Sequence, residues 1–285
     1  MTVETETAGD ARENHAQKKG APESGASLGS IGTSLGWPML SAILGIGLWE
    51  FLVRYFHVPI YLLPAPSAIV LEIQQHWSLL MRELAVTVGA AALGFAISFL
   101  IGIPLGCAIV LSSVVERMVH PWLIVIAAVP KVVIAPLFLV WFGFGLKSEV
   151  LFIVTFTFFT LIVNTIVGLK SPEPELLQTV QAMGATRLQI LRKVSFPSAL
   201  PNIFAGAKIA LTFAPVGAVV AEFVASNSGI GHLLVIAVGS MQTALAFAAV
   251  TIFSLFGILL WYGAEQLEKL VLPWHASQRG NVQQK

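Results

Sequence analysis

Residues 171–201 read SPEPELLQTVQAMGATRLQILRKVSFPSALP. This polar island interrupts a chain that is otherwise apolar enough to live in lipid. It carries Arg187, Arg192 and Lys193, with Lys170 at its lip. Ser171 can accept from the first free amides of a helix, and Pro172 suits the first helical position. Glu173 and Glu175 then fall in the first turn, where the helix dipole favours acids. Leu177, Val180 and Gly184 share a helical face. Gly184 is a left-handed terminator. Thr186 starts a second helix, and Gln189 three residues later completes a capping box. Leu188, Ile190 and Leu191 give this helix an apolar side; Arg187, Arg192 and Lys193 give it a charged one. Pro197 and Pro201 are expected to end it. The pattern predicts helix, glycine turn, helix. The alternative is an amphipathic stretch resting at the lipid interface, but such a stretch needs no defined stop and restart.

The surroundings of the island fix the class. Of 285 residues, 56% are hydrophobic and 11% charged, and the mean hydropathy is +0.83. A soluble domain is about 25% charged. The chain reads as an all-α polytopic membrane protein. No basic cluster interleaved with aromatics points to nucleic acid. The lone Cys107 lies in an apolar run and reads as a small buried hydrophobe. Residues 1–30 lack the apolar core of a signal peptide and are rich in Glu, Thr, Ala, Gly and Ser. A disordered tail is expected over 1–35, and a second short tail over 277–285.

A bilayer core needs about 20 apolar residues of helix. Six segments reach that length, at 36–56, 85–112, 121–143, 149–169, 203–225 and 243–263. The second is overlong, which a tilt or a kink at Pro104 would absorb. With the N-terminus inside, the inner side collects Arg12, Lys18, Lys19, Arg117, Lys170, Arg187, Arg192, Lys193, Lys269, Arg279 and Lys285, eleven in all. The outer side holds three, Arg54, Arg82 and Lys147. This bias places both termini and the island in the cytoplasm. In the first outer connection, Ser67 can N-cap a short surface helix over Ala68–Trp77. Residues 226–231, SNSGIG, form a turn cluster. In the second span Gly102 and Gly106 are four apart, a spacing that lets backbones approach closely within a bundle or at a subunit contact.

The stretch AMGATRLQILRKVSFPSALP resembles the cytoplasmic signature loop of permease subunits in binding-protein-dependent ABC importers. Gly184 matches that loop's glycine and Ala185 its small follower; Val194, Phe196 and Pro197 stand at its downstream end. The family's Glu-Ala-Ala triplet falls on Gln178, Thr179 and Val180, a departure from the pattern. VPKVVIAPLFLVWFGFGLKSEV (129–150), VGAVVAEF (216–223), SGIGHLL (228–234) and LPWH (272–275) are similar to the nitrate/sulfonate/taurine branch of that family. The resemblance covers about 36–276.

It implies a type I importer transmembrane domain of six helices in the bacterial inner membrane. It implies a homodimer of permease subunits, each docking a cytoplasmic ATPase subunit, with an extracytoplasmic binding protein delivering the solute. The coupling element would comprise Gln178, Thr179, Gln181, Ala182, Met183, Gly184, Ala185, Thr186, Arg187 and Leu188. The cargo implied is a nitrate-, sulfonate- or taurine-like anion, or a pyrimidine or riboflavin-type compound.

The chain has no G-x-x-x-x-G-K-[ST], no H-E-x-x-H and no cluster spaced for a metal. It reads as a non-enzyme without cofactor or metal, leaving ATP hydrolysis to a separate partner. Charged groups within spans are costly and face protein or water. Glu50 and Arg54, four apart, read as a helix-surface ion pair. Lys131, after Pro130, can line a substrate pathway, pair with a carbonyl or snorkel. Asn164 and Glu222 are further pathway candidates, and Lys208 is expected to snorkel. The competing reading is a stand-alone secondary transporter or channel; a membrane scaffold is a third.

Overall fold

The computed structural model describes residues 29–271. The expected tail over 1–28 and the residues after 271, LPWH among them, lie outside the described residues. Eleven α-helices follow one another, and there is no strand among the described residues. They are α1 Gly29–Tyr55, α2 Pro66–Gln75, α3 Trp77–Leu111, α4 Ser113–Ala128, α5 Ala135–Phe142 and α6 Leu146–Leu169. Then come α7 Pro174–Ala182, α8 Arg187–Ile190, α9 Phe196–Ala225, α10 Ile230–Gly239 and α11 Thr243–Val271. Two compact units divide between Gly47 and Leu48. The first holds the leading part of α1, including residues 29–35, which are helical rather than part of a tail. The second holds everything described below.

Among the described residues five helices are long and apolar enough to cross a membrane: Gly36–Tyr55, Trp77–Leu111, Leu146–Leu169, Arg187–Ala225 and Thr243–Val271. The third expected span, 121–143, is not one helix. It is broken between α4 and a 3-10 turn at Lys131–Ile134 that leads into α5. Pro130 causes the break: it has no amide to offer, and it drives Val129 out of the helical region to φ −71°, ψ 125°. Pro104 and Pro121, by contrast, lie inside α3 and α4.

The short helix expected in the first connection is present as α2, with one correction. Its N-cap is Ala65, Pro66 occupies the first turn, and Ser67 is not the cap. The Glu50 carboxylate instead accepts from the Ser67 amide at 3.0 Å and from its hydroxyl at 2.8 Å. Glu50 also pairs with Arg54, as the four-residue spacing predicts. A side chain of α1 thereby supplies the acceptor that the start of α2 lacks.

The centre of the second unit is α3 packed on α6, with α9 against both. The contact is close because α3 places small residues along it. A Cβ at Gly94 would lie 2.5 Å from Ile153 Cγ2; one at Gly106 would lie 2.8 Å from Thr165 Cγ2. Gly102 faces Leu161 in the same way. These glycines therefore serve an intramolecular seam rather than a subunit contact. Two hydroxyls buried along it are matched to each other, as lipid favours. Thr157 donates to the Ile153 carbonyl at 3.0 Å and so accepts from Ser98, 2.6 Å away. A second core joins Ile69 of α2, Leu80 of α3, Ile230 and Leu233 of α10, and Ala246 and Ala249 of α11. Lys208, expected to snorkel, lies over the Trp261 ring at 4.5 Å and meets Glu268 at 3.4 Å, tying α9 to α11.

Candidate functional site

The island folds largely as its sequence predicts, with two shifts. The first helix, α7, starts at Pro174, not Pro172. A residue before proline avoids the helical region, so Glu173 sits at φ −58°, ψ 135° and becomes the N-cap position. Ser171 lies just past the end of α6, where its hydroxyl donates to the Gly168 carbonyl at 2.8 Å. Lys170 pairs with Glu116 of α4.

The turn is a Schellman motif. The Gly184 amide donates to Gln181 O at 2.9 Å and the Ala185 amide to Val180 O at 3.3 Å. Gly184 has φ +84°, a conformation that costs an L-residue about 1–2 kcal/mol. Thr186 and Gln189 form both halves of the capping box, at 3.3 and 2.8 Å. The second shift follows. Pro197 and Pro201 do not end the second helix, because a π-turn at Leu191–Ser195 joins α8 to α9. The widened turn, in which the Phe196 amide reaches back to Leu191 O, accommodates Pro197 without ending the helix.

The two limbs of the island differ in burial. The second limb is rooted: Leu191 packs with Leu169, Ala199 and Ile203 against Cys107 and Leu111 of α3. The first limb, α7, buries no residue. Of the ten candidate coupling residues, only Ala185 is partly covered; Gln178, Thr179 and Gln181 to Gly184 are exposed, as are Thr186 to Leu188. Met183 at the turn is 81% exposed. Gln181 and Arg187 line a hollow of about 250 Å³ at the end of α3. The result is a capped, outward-facing pair of helices on a buried root.

The polar residues within the spans go to different places. Glu222 is 1% exposed. Its Oε2 accepts from the Gly231 amide at 2.7 Å. Beside it, Glu83 Oε2 accepts from the Gly229 amide at 2.7 Å and Thr87 Oγ1 from the Ile230 amide at 2.9 Å. Three consecutive amides at the start of α10 are thus held by side chains of α3 and α9, which answers the donors a helix start leaves open. Glu83 and Thr87 carry no local signal in the sequence: their partners lie 146 and 143 residues away.

Asn164 donates to Thr160 O at 2.8 Å and packs on Gly206, in the α6–α9 seam. Lys131 lines a cavity of about 360 Å³ between the α4–α5 break and α6. Its ammonium reaches Phe156 O at 3.4 Å and the rings of Phe156 and Phe159 at 5.5 and 5.7 Å. The three pathway candidates are therefore not brought together in one cavity.

A family model described as "Binding-protein-dependent transport system inner membrane component" matches residues 75–271. The chain belongs to this family. These inner membrane components are transport subunits, so the chain is a multi-pass inner membrane transport component, and the stand-alone transporter reading is set aside. Among its relatives, the formylaminopyrimidine transport permease protein of Halalkalibacterium halodurans is 35% identical, covering 85% of this chain and 96% of its own length. The riboflavin transport system permease protein of Chloroflexus aurantiacus is 36% identical, covering 85% and 92%. Permeases named for taurine and for aliphatic sulfonates are also homologues, as the resemblance to that branch implies. The inward-facing MetNI methionine ABC transporter shares the fold: TM-score 0.60 at 20% identity, over 69% of this chain and 98% of that one. The inner membrane component thus has a type I importer transmembrane fold.

Proposed function

We propose that the chain is the permease subunit of an ATP-driven importer in which the island is the contact for a cytoplasmic ATPase. The observation that carries this is the contrast between the two limbs. The α7–Gly184–α8 unit is stopped and restarted by two full caps and presents nearly all its surface outward, while Leu191 roots it in the α3–α6–α9 core. Such a unit moves as a body, whereas an uncapped loop would dissipate the motion. Positive-inside bias puts it and both termini in the cytoplasm. The chain works as a homodimer, each copy receives one ATPase subunit, and an extracytoplasmic binding protein delivers the solute. Gln178 to Leu188 form the docking face, with Gly184 as its turn. The permease domain extends over 36–276.

For cargo, the relatives at 35% and 36% identity favour a formylaminopyrimidine- or riboflavin-like heterocycle. The homologues named for taurine and sulfonates keep a small anion as the second reading. Lys131 lies on the path; Asn164 and Glu222 support its walls. Reconstitution in liposomes tests the assignment: uptake should require ATP and the ATPase partner. Solute movement by the chain alone would overturn it.

A further inference from the structure

We propose that the cavity beside the α4–α5 break is a ligand subsite, in which Lys131 reads an oxygen acceptor on a flat heteroaromatic ring. The inference rests on the permease reading above and narrows its cargo. At about 360 Å³ the cavity falls at the small end of ligand pockets. Its walls include Leu123, Ile126, Val154, Phe158 and Phe159, and its polar lining consists of Lys131 and Thr155.

Two observations point to a ligand rather than to packing. First, the helix is interrupted beside it. The last carbonyls of α4 have no further turn to receive them, and irregular backbone among lipid-spanning elements is tolerated only against protein or a wet cavity. Interrupted helices of this kind mark substrate sites in other transport folds. Second, Lys131 is underused. An ammonium has three donors. Among the described residues its one hydrogen-bond acceptor is the Phe156 carbonyl, at 3.4 Å, beyond the normal range. Among the described residues it forms no ion pair; it lies over the Phe156 and Phe159 rings. A half-covered cation with unspent donors in the lining of a partly aromatic hollow fits an acceptor brought by a ligand.

The lining also decides the ligand class. A small compact anion would have to give up water around three oxygens and find one cation and one hydroxyl. Thr155 already donates to Leu151 O at 3.1 Å. The unmatched oxygens make that exchange unfavourable. A planar heterocycle with one carbonyl or anionic oxygen loses little: its faces meet Phe158 and Phe159, and its oxygen meets Lys131.

The test uses the full chain in membrane vesicles, with Cys107→Ser to remove the native thiol and Thr155→Cys as the reporter. Riboflavin and taurine serve as probes against maleimide labelling. Riboflavin should slow labelling about tenfold, and taurine should leave it unchanged. Lys131→Met should abolish the riboflavin protection and Lys131→Arg should retain it. Protection by taurine alone, protection by neither, protection unaffected by Lys131→Met, or a Thr155→Cys that never labels would each overturn the subsite. If Lys131→Met does not accumulate, the riboflavin–taurine comparison decides by itself. Separately, ATP-dependent uptake by the complete complex reports on the permease reading, so a failed subsite leaves that reading standing.

Discussion

The Glu222 carboxylate accepts the Gly231 amide at 2.7 Å, nine residues along the chain and across a turn. Together with Glu83 and Thr87 it fixes where α10 begins. Glu222→Leu leaves that buried donor without an acceptor, at a cost of about 1–3 kcal/mol. The expected outcome is a lower unfolding midpoint in detergent, with Glu222→Gln intermediate because it keeps one acceptor oxygen. An unchanged midpoint for Glu222→Leu would show that the anchor does not hold α10.

The same anchor makes Gly229 sensitive. It has φ +98°, and a Cβ there would run into the Glu222 carboxylate. Gly229→Ala should lower the midpoint at least as much as Glu222→Gln. Gly239→Ala, with open space around its Cβ position, is the control and should leave the midpoint in place.

At Gly184 the surroundings are open, so only backbone conformation opposes a side chain. Gly184→Val should therefore insert and accumulate normally. Its strain, about 1–2 kcal/mol, falls on the turn between α7 and α8. In the reconstituted importer, ATP hydrolysis should continue while uptake drops. Gly184→Asn, which tolerates the left-handed region, should restore much of the uptake. Full transport by the valine variant would count against a coupling role for the turn.

The α3–α6 seam predicts a size threshold. Gly94→Leu must displace Ile153, and Gly106→Leu must displace Thr165. Both should reduce the amount of folded protein recovered from membranes. Gly89 is exposed and a Cβ there meets nothing within 4 Å, so Gly89→Leu should be recovered like the parent chain.

Ser98 and Thr157 supply a finer measure. Their hydroxyls are 2.6 Å apart and both residues are fully buried. Ser98→Ala and Thr157→Val should each cost about 0.6 kcal/mol, the average for such bonds in membrane bundles. The double variant should cost less than the sum of the two single ones, read by the same unfolding assay.

Local chemistry accounts for what was legible in the sequence. The Gly184 turn and the Thr186–Gln189 box are set by residues within five positions of each other, and both are present. Long apolar runs announce themselves by length, so five of the six expected spans are there. The third failed because its hydropathy is continuous while its backbone is not: Pro130 stops α4 without altering the apolar character of the run. Pro197 misled in the opposite sense. It looks like a terminator, yet a π-turn just before it carries the helix through. Ser67 invited a capping role that Glu50, 17 residues earlier, performs. The Glu83 and Thr87 contacts were invisible because nothing near either residue indicates a partner more than 140 positions away.

The π-turn has one more consequence. Because α8 passes through it into α9 without a stop, Arg187–Ala225 is a single shaft of 39 residues. At about 1.5 Å per residue it is roughly 58 Å long, nearly twice the thickness of a bilayer core of about 30 Å. One end carries the exposed Leu188; three residues from the other end is Glu222 with its grip on α10. A torque applied at Thr186 need not be relayed from helix to helix. It would run to the α10 anchor within one continuous helix, by way of the π-turn at Leu191–Ser195.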